Sequence, residues 1–177
     1  YICDEPSRRD TFPAIALATN FLVDVLGRDV NESVVVCPVD PYVEDDYYKA
    51  IGELAKLSDE SEAGIVLMGI EPTCPSEQFG YILPEKKDAV SEVKAFKEKP
   101  DKESAAKYIT QGALWNSGVF AFKIKNMMDK FHQKIDYEDY HDLLAKYDTL
   151  PALSFDYEIV EKETDIKVFR FGGIGFL

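Results

Sequence analysis

Cationic side chains are scarce in this 177-residue chain, with 20 Lys and Arg against 33 Asp and Glu and a formal net charge of −13. That deficit excludes nucleic acid and anionic membrane surfaces as partners, because both require clustered Lys and Arg to displace counterions from phosphates. A small phosphorylated substrate survives the exclusion, since it needs only a few local cations or a metal. Cysteine is also sparse: Cys3, Cys37 and Cys74 are odd in number, far apart and without any C-x-x-C or Cys/His ligand spacing. Reduced thiols and a cytoplasmic location are expected. No apolar run approaches the roughly 18 residues of a membrane span, and no basic segment followed by an apolar stretch opens the chain, so neither membrane insertion nor secretion is expected. His132 and His141 are the only histidines, with no partner at metal or catalytic spacing, and both read as surface residues.

What is present is an alternation of apolar runs with amphipathic segments. Pro13 fits the first turn of a helix running through Ala14, Ala16, Leu17, Phe21 and Leu22. Residues 33–39 and 64–70 read as buried strands, the first from the run Val34, Val35 and Val36, the second apolar on both faces. A helix is expected over 45–57, a turn-rich excursion over 76–84, a strand over 89–98 and a short helix over 104–110. A turn over 111–118 then precedes a strand over 118–124, a helical stretch from Asn126, another after Ser154, and a strand over 166–171. This order predicts one α/β domain with a mixed, mainly parallel sheet and helices on both faces.

Ligand crevices in such sheets lie beyond the carboxyl ends of the strands. Asp40, in Pro38-Val39-Asp40-Pro41, follows the first strand and suits Mg²⁺, which prefers carboxylate and phosphate oxygens; capping the next helix or ending the strand are the alternatives. Glu98 and Lys99 end another strand, where Lys99 could hold a sugar phosphate while Glu98 accepts from hydroxyls, or both could be solvated strand-end charges. Asn116 offers donors and acceptors suited to a sugar beside the single Trp115, although turn chemistry also explains it. Gly80, in Phe79-Gly80-Tyr81-Ile82, would let backbone approach a ligand or make an ordinary turn. Glu5, Arg9 and Thr11 precede a helix N-terminus that favours phosphate, and a fixed carboxylate at Glu5 would accept from guanine N1–H and N2–H₂ together. The alternative is an N-cap at Asp10 or Thr11 with incidental neighbours.

In order along the chain stand Glu5-Pro6-Ser7-Arg8-Arg9-Asp10-Thr11-Phe12-Pro13-Ala14-Ile15-Ala16, Pro38-Val39-Asp40-Pro41, Gly69-Ile70-Glu71-Pro72-Thr73 with Phe79-Gly80-Tyr81-Ile82, Phe96-Lys97-Glu98-Lys99-Pro100, Trp115-Asn116-Ser117-Gly118-Val119-Phe120, and the stretch from Ser154 to Lys162. This series resembles the sugar-1-phosphate nucleotidylyltransferases, most closely the mannose-1-phosphate guanylyltransferases, over nearly the whole chain. The resemblance implies a Rossmann-like fold of the nucleotide-diphospho-sugar transferase type, incomplete at the N-terminus because the family's glycine-rich nucleotide loop would stand before Tyr1. It implies transfer of a guanylyl group from GTP to mannose 1-phosphate, giving GDP-mannose and pyrophosphate, with another nucleotide or hexose 1-phosphate, or a noncatalytic nucleotide-sugar-binding subunit, as the alternatives, and leaves a homodimer open. Asp40 would be a Mg²⁺ ligand, Lys99 would hold the sugar phosphate, and Gly80, Glu98 and Asn116 would contact the hexose. Glu5 would read guanine, with Arg9 and Thr11 lining the nucleotide site. The family's W-x-D-x-G, whose Asp completes the metal site, is matched by no acid in Phe171-Gly172-Gly173-Ile174-Gly175-Phe176-Leu177, so Asp40 is expected to be a lone protein ligand. The chain by itself is expected to have little or no transfer activity.

Overall fold

A computed structural model describes residues 1–40 and 42–172. They gather into two compact units, each built from two stretches of chain: residues 1–32 with 123–162, and residues 33–122 with 163 onward.

The first unit is helical. Asp10 opens α1 (Thr11–Asn20), its carboxylate accepting from the Thr11 N–H at 2.7 Å. Pro13 sits inside the first turn, where its missing N–H costs no helical bond. A π-helical turn (Phe21–Val25) continues α1, and α4 (Ile124–Lys134), α5 (Tyr140–Lys146) and α6 (Phe155–Glu158) complete the unit. Phe12, Leu17, Met127, Phe131, Leu143 and Phe155 are fully buried or nearly so, and the Phe12 and Phe131 rings meet edge-on at 5.8 Å. Asn20, also buried, donates through its amide nitrogen to Ala16 O at 2.8 Å and to the Tyr137 hydroxyl at 3.1 Å.

The second unit holds a six-stranded sheet in the order β1-β5-β2-β6-β4-β3: β1 (Ser33–Val36), β2 (Ile65–Ile70), β3 (Tyr81–Pro84), β4 (Val90–Lys97), β5 (Leu114–Lys123) and β6 (Ile166–Phe171), with β5 also pairing β3. On the face carrying Val66, Met68, Val119 and Ala121 it packs Tyr47, Ala50 and Leu54 of α2 (Asp45–Glu60). Ala105 of α3 (Lys102–Thr110) packs with Tyr81 and Ala113.

The α/β class and the mixed sheet agree with the sequence reading; the expectation that the sheet is mainly parallel does not hold. β2 runs parallel to β6, while β2–β5, β3–β4, β3–β5 and β4–β6 are antiparallel. The difference begins at the segment 76–84, read as an excursion, whose end is β3. With only a short turn separating it from β4, β3 must return antiparallel, since a parallel pair needs a crossover. The expected turn over 111–118 is also displaced. Gly112, at φ 84°, makes the turn, and β5 already begins at Leu114. Gly118, at φ 74°, is a left-handed residue within β5, close to where its register against β2 shifts between Leu67 and Gly69. A glycine inside a strand there marks a bulge. Among the described residues no helix is long and apolar enough to cross a membrane.

Candidate functional site

Four of the sequence candidates, Gly80, Glu98, Lys99 and Asn116, come together at one end of the sheet in the second unit. The Asn116 N–H donates to Gly80 O at 2.8 Å, which fixes the start of β3 against β5. A Cβ built on Gly80 would lie 2.7 Å from Glu98 Oε2, 2.9 Å from Phe96 Cζ and 3.4 Å from the Asn116 Cβ. Glu98, Phe96 and Asn116 therefore already fill the place a side chain at position 80 would need, and only glycine lets them come so close to the backbone.

Glu98 has a side chain 15% exposed; its Oε1 pairs with Lys99 Nζ at 3.0 Å, while its Oε2 is buried with no hydrogen-bond partner. A buried carboxylate oxygen left without a donor costs about 1–3 kcal/mol or more, and Oε2 keeps its acceptor capacity for any donor brought beside it. Lys99 adopts φ 42°, the left-handed region that a non-glycine residue enters only under local constraint, and its side chain stays 58% exposed. Asn116 is 9% exposed, and its Oδ1 accepts from the Gly118 N–H at 3.3 Å. Beside it, Trp115 packs its ring on that of Phe79 at 4.6 Å, and the Trp115 Nε1–H is buried without a partner. A buried carboxylate oxygen, a carboxamide and a half-exposed ammonium offer complementary contacts for a ligand that carries both hydroxyls and an anion.

Glu5, Arg9 and Thr11 lie in the first unit and are laced to residues 147–155. The buried Tyr147 hydroxyl donates to Glu5 Oε2 at 2.7 Å, the Arg9 guanidinium donates to Asp148 O, and Thr11 Oγ1 accepts from the Phe155 N–H at 2.8 Å. The backbone follows the same seam, Leu153 N–H to Arg9 O at 3.3 Å and Phe12 N–H to Leu153 O at 3.0 Å. Thr11 thus ties its hydroxyl oxygen to the fold as an acceptor and keeps its O–H to donate, and Asp10 is the residue that caps α1. Tyr147 is the residue sequence reasoning missed, because Lys146-Tyr147-Asp148 carries no motif that would single it out. Burial, and then the Glu5 carboxylate it serves, hold its hydroxyl well above the ordinary tyrosine range.

Asp40 is exposed beyond the carboxyl end of β1, as the strand pattern predicted; its neighbour Pro41 lies outside the described residues. Among the described residues no group of three or more His, Cys, Asp and Glu is placed to hold a metal ion. One carboxylate remains compatible with Mg²⁺, which is commonly held by one or two carboxylates together with substrate phosphates. The acid-free stretch at the end of the chain lies outside the described residues from Gly173 onward. His132 and His141 are exposed as expected, with His132 stacked on Tyr137 at 4.2 Å.

A family model described as nucleotidyl transferase matches residues 1–154. The alginate biosynthesis protein AlgA of Pseudomonas putida is 34% identical over 185 residues, covering 89% of this chain and 36% of that protein. A Sinorhizobium fredii protein named mannose-1-phosphate guanylyltransferase is 29% identical over 185 residues, covering 93% of this chain and 35% of its own length. The chain therefore spans about a third of the length of these curated relatives. Among solved structures, a Thermus thermophilus protein described as mannose-1-phosphate geranyltransferase superposes with a TM-score of 0.76 at 30% identity, covering 95% of this chain and 52% of that one. A UDP-glucose pyrophosphorylase complexed with UDP-glucose shares the fold, with a TM-score of 0.61 at 14% identity over 94% of this chain and 56% of its own. With most of its length matched by the family model and its fold shared with these structures, the chain belongs to the nucleotidyl transferase family.

Proposed function

We propose that this chain serves guanylyl transfer from GTP to mannose 1-phosphate, giving GDP-mannose and pyrophosphate. The observation that carries the reading is the buried, unpartnered Glu98 Oε2 packed against Gly80, beside Asn116 and with Lys99 on the other carboxylate oxygen. Sugar hydroxyls would donate to Glu98, Asn116 would exchange donor and acceptor contacts with them, and Lys99 would hold the 1-phosphate as a point charge. Glu5 would accept from guanine N1–H and N2–H₂, a pair of adjacent donors that adenine lacks, with Arg9 and Thr11 along the nucleotide. The names of the curated relatives support mannose and guanosine over other pairs.

In the reaction a phosphate oxygen of mannose 1-phosphate attacks the α-phosphorus of GTP in line, the α–β phosphoanhydride bond breaks, and pyrophosphate leaves with the bond's electron pair. No covalent intermediate on the protein is needed, so catalysis rests on positioning and charge neutralisation. Asp40 would hold Mg²⁺ together with phosphate oxygens, and the ion would neutralise charge on the leaving pyrophosphate. The test is pyrophosphate release by the intact protein across a panel of GTP, ATP and UTP with mannose 1-phosphate and glucose 1-phosphate. GTP with mannose 1-phosphate should give the highest kcat/KM. A higher value for another pair would replace the substrate assignment, and no release with any pair would end the transferase reading.

A further inference from the structure

Tyr147 contributes to none of the motifs that mark the family, yet the fold fixes both its side chain and its backbone. Its side chain is fully buried, and its backbone is fixed at both ends, N–H to Leu144 O and C=O from the Leu150 N–H at 3.1 Å. From that position it donates to Glu5 Oε2 at 2.7 Å. The next residue, Asp148, accepts through its carbonyl from Arg9. One three-residue turn, Tyr147–Thr149, thus grips Glu5 and Arg9, two of the three charged residues of the segment 5–9. Glu5 is otherwise exposed, and a glutamate on the surface samples several rotamers.

We propose that Tyr147 is a positioning residue for base recognition: its hydroxyl selects one rotamer of Glu5 and presents the carboxylate, preformed, to a purine that carries two adjacent N–H donors. The inference rests on the reading of Glu5 as the base-contacting acid. Each carboxylate oxygen accepts about two hydrogen bonds, so the bond from Tyr147 leaves Oε2 able to take a second donor and Oε1 its full capacity. The high proton affinity of the Tyr147 hydroxyl keeps it a donor throughout the physiological range, so the grip on Glu5 does not lapse with pH. A serine at the turn would be too short to play this part, and an aspartate would carry no proton to donate.

The test measures KM and kcat of the intact protein for GTP and for ATP, in the unaltered form and in Tyr147→Phe, Glu5→Gln, Glu5→Asp and the Tyr147→Phe, Glu5→Gln double variant. Tyr147→Phe should raise the KM for GTP about tenfold, the scale of one hydrogen bond that orders a charged group, and leave kcat within about twofold. The preference for GTP over ATP should shrink in the same proportion. In the Glu5→Gln background the Tyr147→Phe change should add almost nothing, the signature of two residues acting as one unit. A structural role for the hydroxyl would instead lower the melting temperature and leave the GTP-to-ATP ratio unmoved. Glu5→Asp, an exposed substitution that keeps the charge and draws the carboxylate back from Tyr147, should lose preference as Tyr147→Phe does. A GTP preference retained by Tyr147→Phe or by Glu5→Asp, or an equal loss from Tyr147→Phe in both backgrounds, overturns the proposal. Unchanged preference in Glu5→Gln overturns the base-contacting role of Glu5 itself, and the role of Tyr147 with it.

Discussion

A methyl group at position 80 would sit 2.7 Å from Glu98 Oε2 and 2.9 Å from Phe96 Cζ, closer than any stable contact. Gly80→Ala should therefore displace Glu98 or Phe96, cost about 1–3 kcal/mol of stability as an overpacked buried site, and raise the KM for the hexose phosphate. Thermal melting and steady-state kinetics read the two effects separately, and an alanine variant with unchanged KM would detach Gly80 from the site. At this scale much was legible. Glu98 and Lys99 were marked by residue type at a strand end and Gly80 and Asn116 by residue type within expected turns, and the fold collects all four. The burial of Glu98 Oε2 was not legible, because it depends on Phe96 and on the β3–β5 pairing that brings Asn116 to Gly80. Tyr147 was invisible for a similar reason: its partner Glu5 lies at the other end of the chain, and nothing in the local pattern announces a bond between them.

Among the elements, β2 was the clearest in the sequence and is the strand on which the sheet is built, parallel to β6 and antiparallel to β5. An apolar run on both faces reports burial on both sides, whatever the direction of the neighbours. This is why burial was read correctly and the parallel majority was not. β3 was missed because its four residues, Tyr81–Pro84, follow a polar, turn-rich stretch that sets the local impression. Gly69 within β2 offers a test of how tightly the three central strands close. A Cβ there would meet Leu114 Cδ1 at 2.6 Å and Val168 Cγ2 at 2.8 Å, from the strands on either side. Both neighbours are buried, so neither can swing into solvent. Gly69→Ala should cost about 1–3 kcal/mol in denaturant unfolding, and a neutral result would mean that the sheet can open at β2 without loss.

For the molecule as a whole, the sequence pointed to one α/β domain, and the described residues cluster in two units, each drawing on distant stretches of chain. Such interleaving leaves no composition break to read, since the chain passes between units inside ordinary turns and at the end of β5. Alkaline pH is a sensitive probe of the assembled fold. Burial first, and then nearby acids, tyrosines or thiols, raise the hydroxyls of Tyr47, Tyr137, Tyr140 and Tyr147 above the ordinary tyrosine value of about 10, although the Asn20 bond works the other way at Tyr137. Above that value the unfolded chain releases these protons while the folded one keeps them, so stability must fall as pH rises from there. Melting temperature should drop through this range, and less steeply in Tyr147→Phe; an equal slope would mean that Tyr147 ionises as easily folded as unfolded. Whether Glu98, Asn116 and Lys99 hold a sugar phosphate is read by calorimetric titration of the intact protein with GDP-mannose, beside Asn116→Ala and Lys99→Ala. The account predicts binding that each substitution weakens by about 1–3 kcal/mol, the scale of a lost hydrogen bond to a charged or buried group. Equal affinity in the unaltered protein and both variants would contradict it.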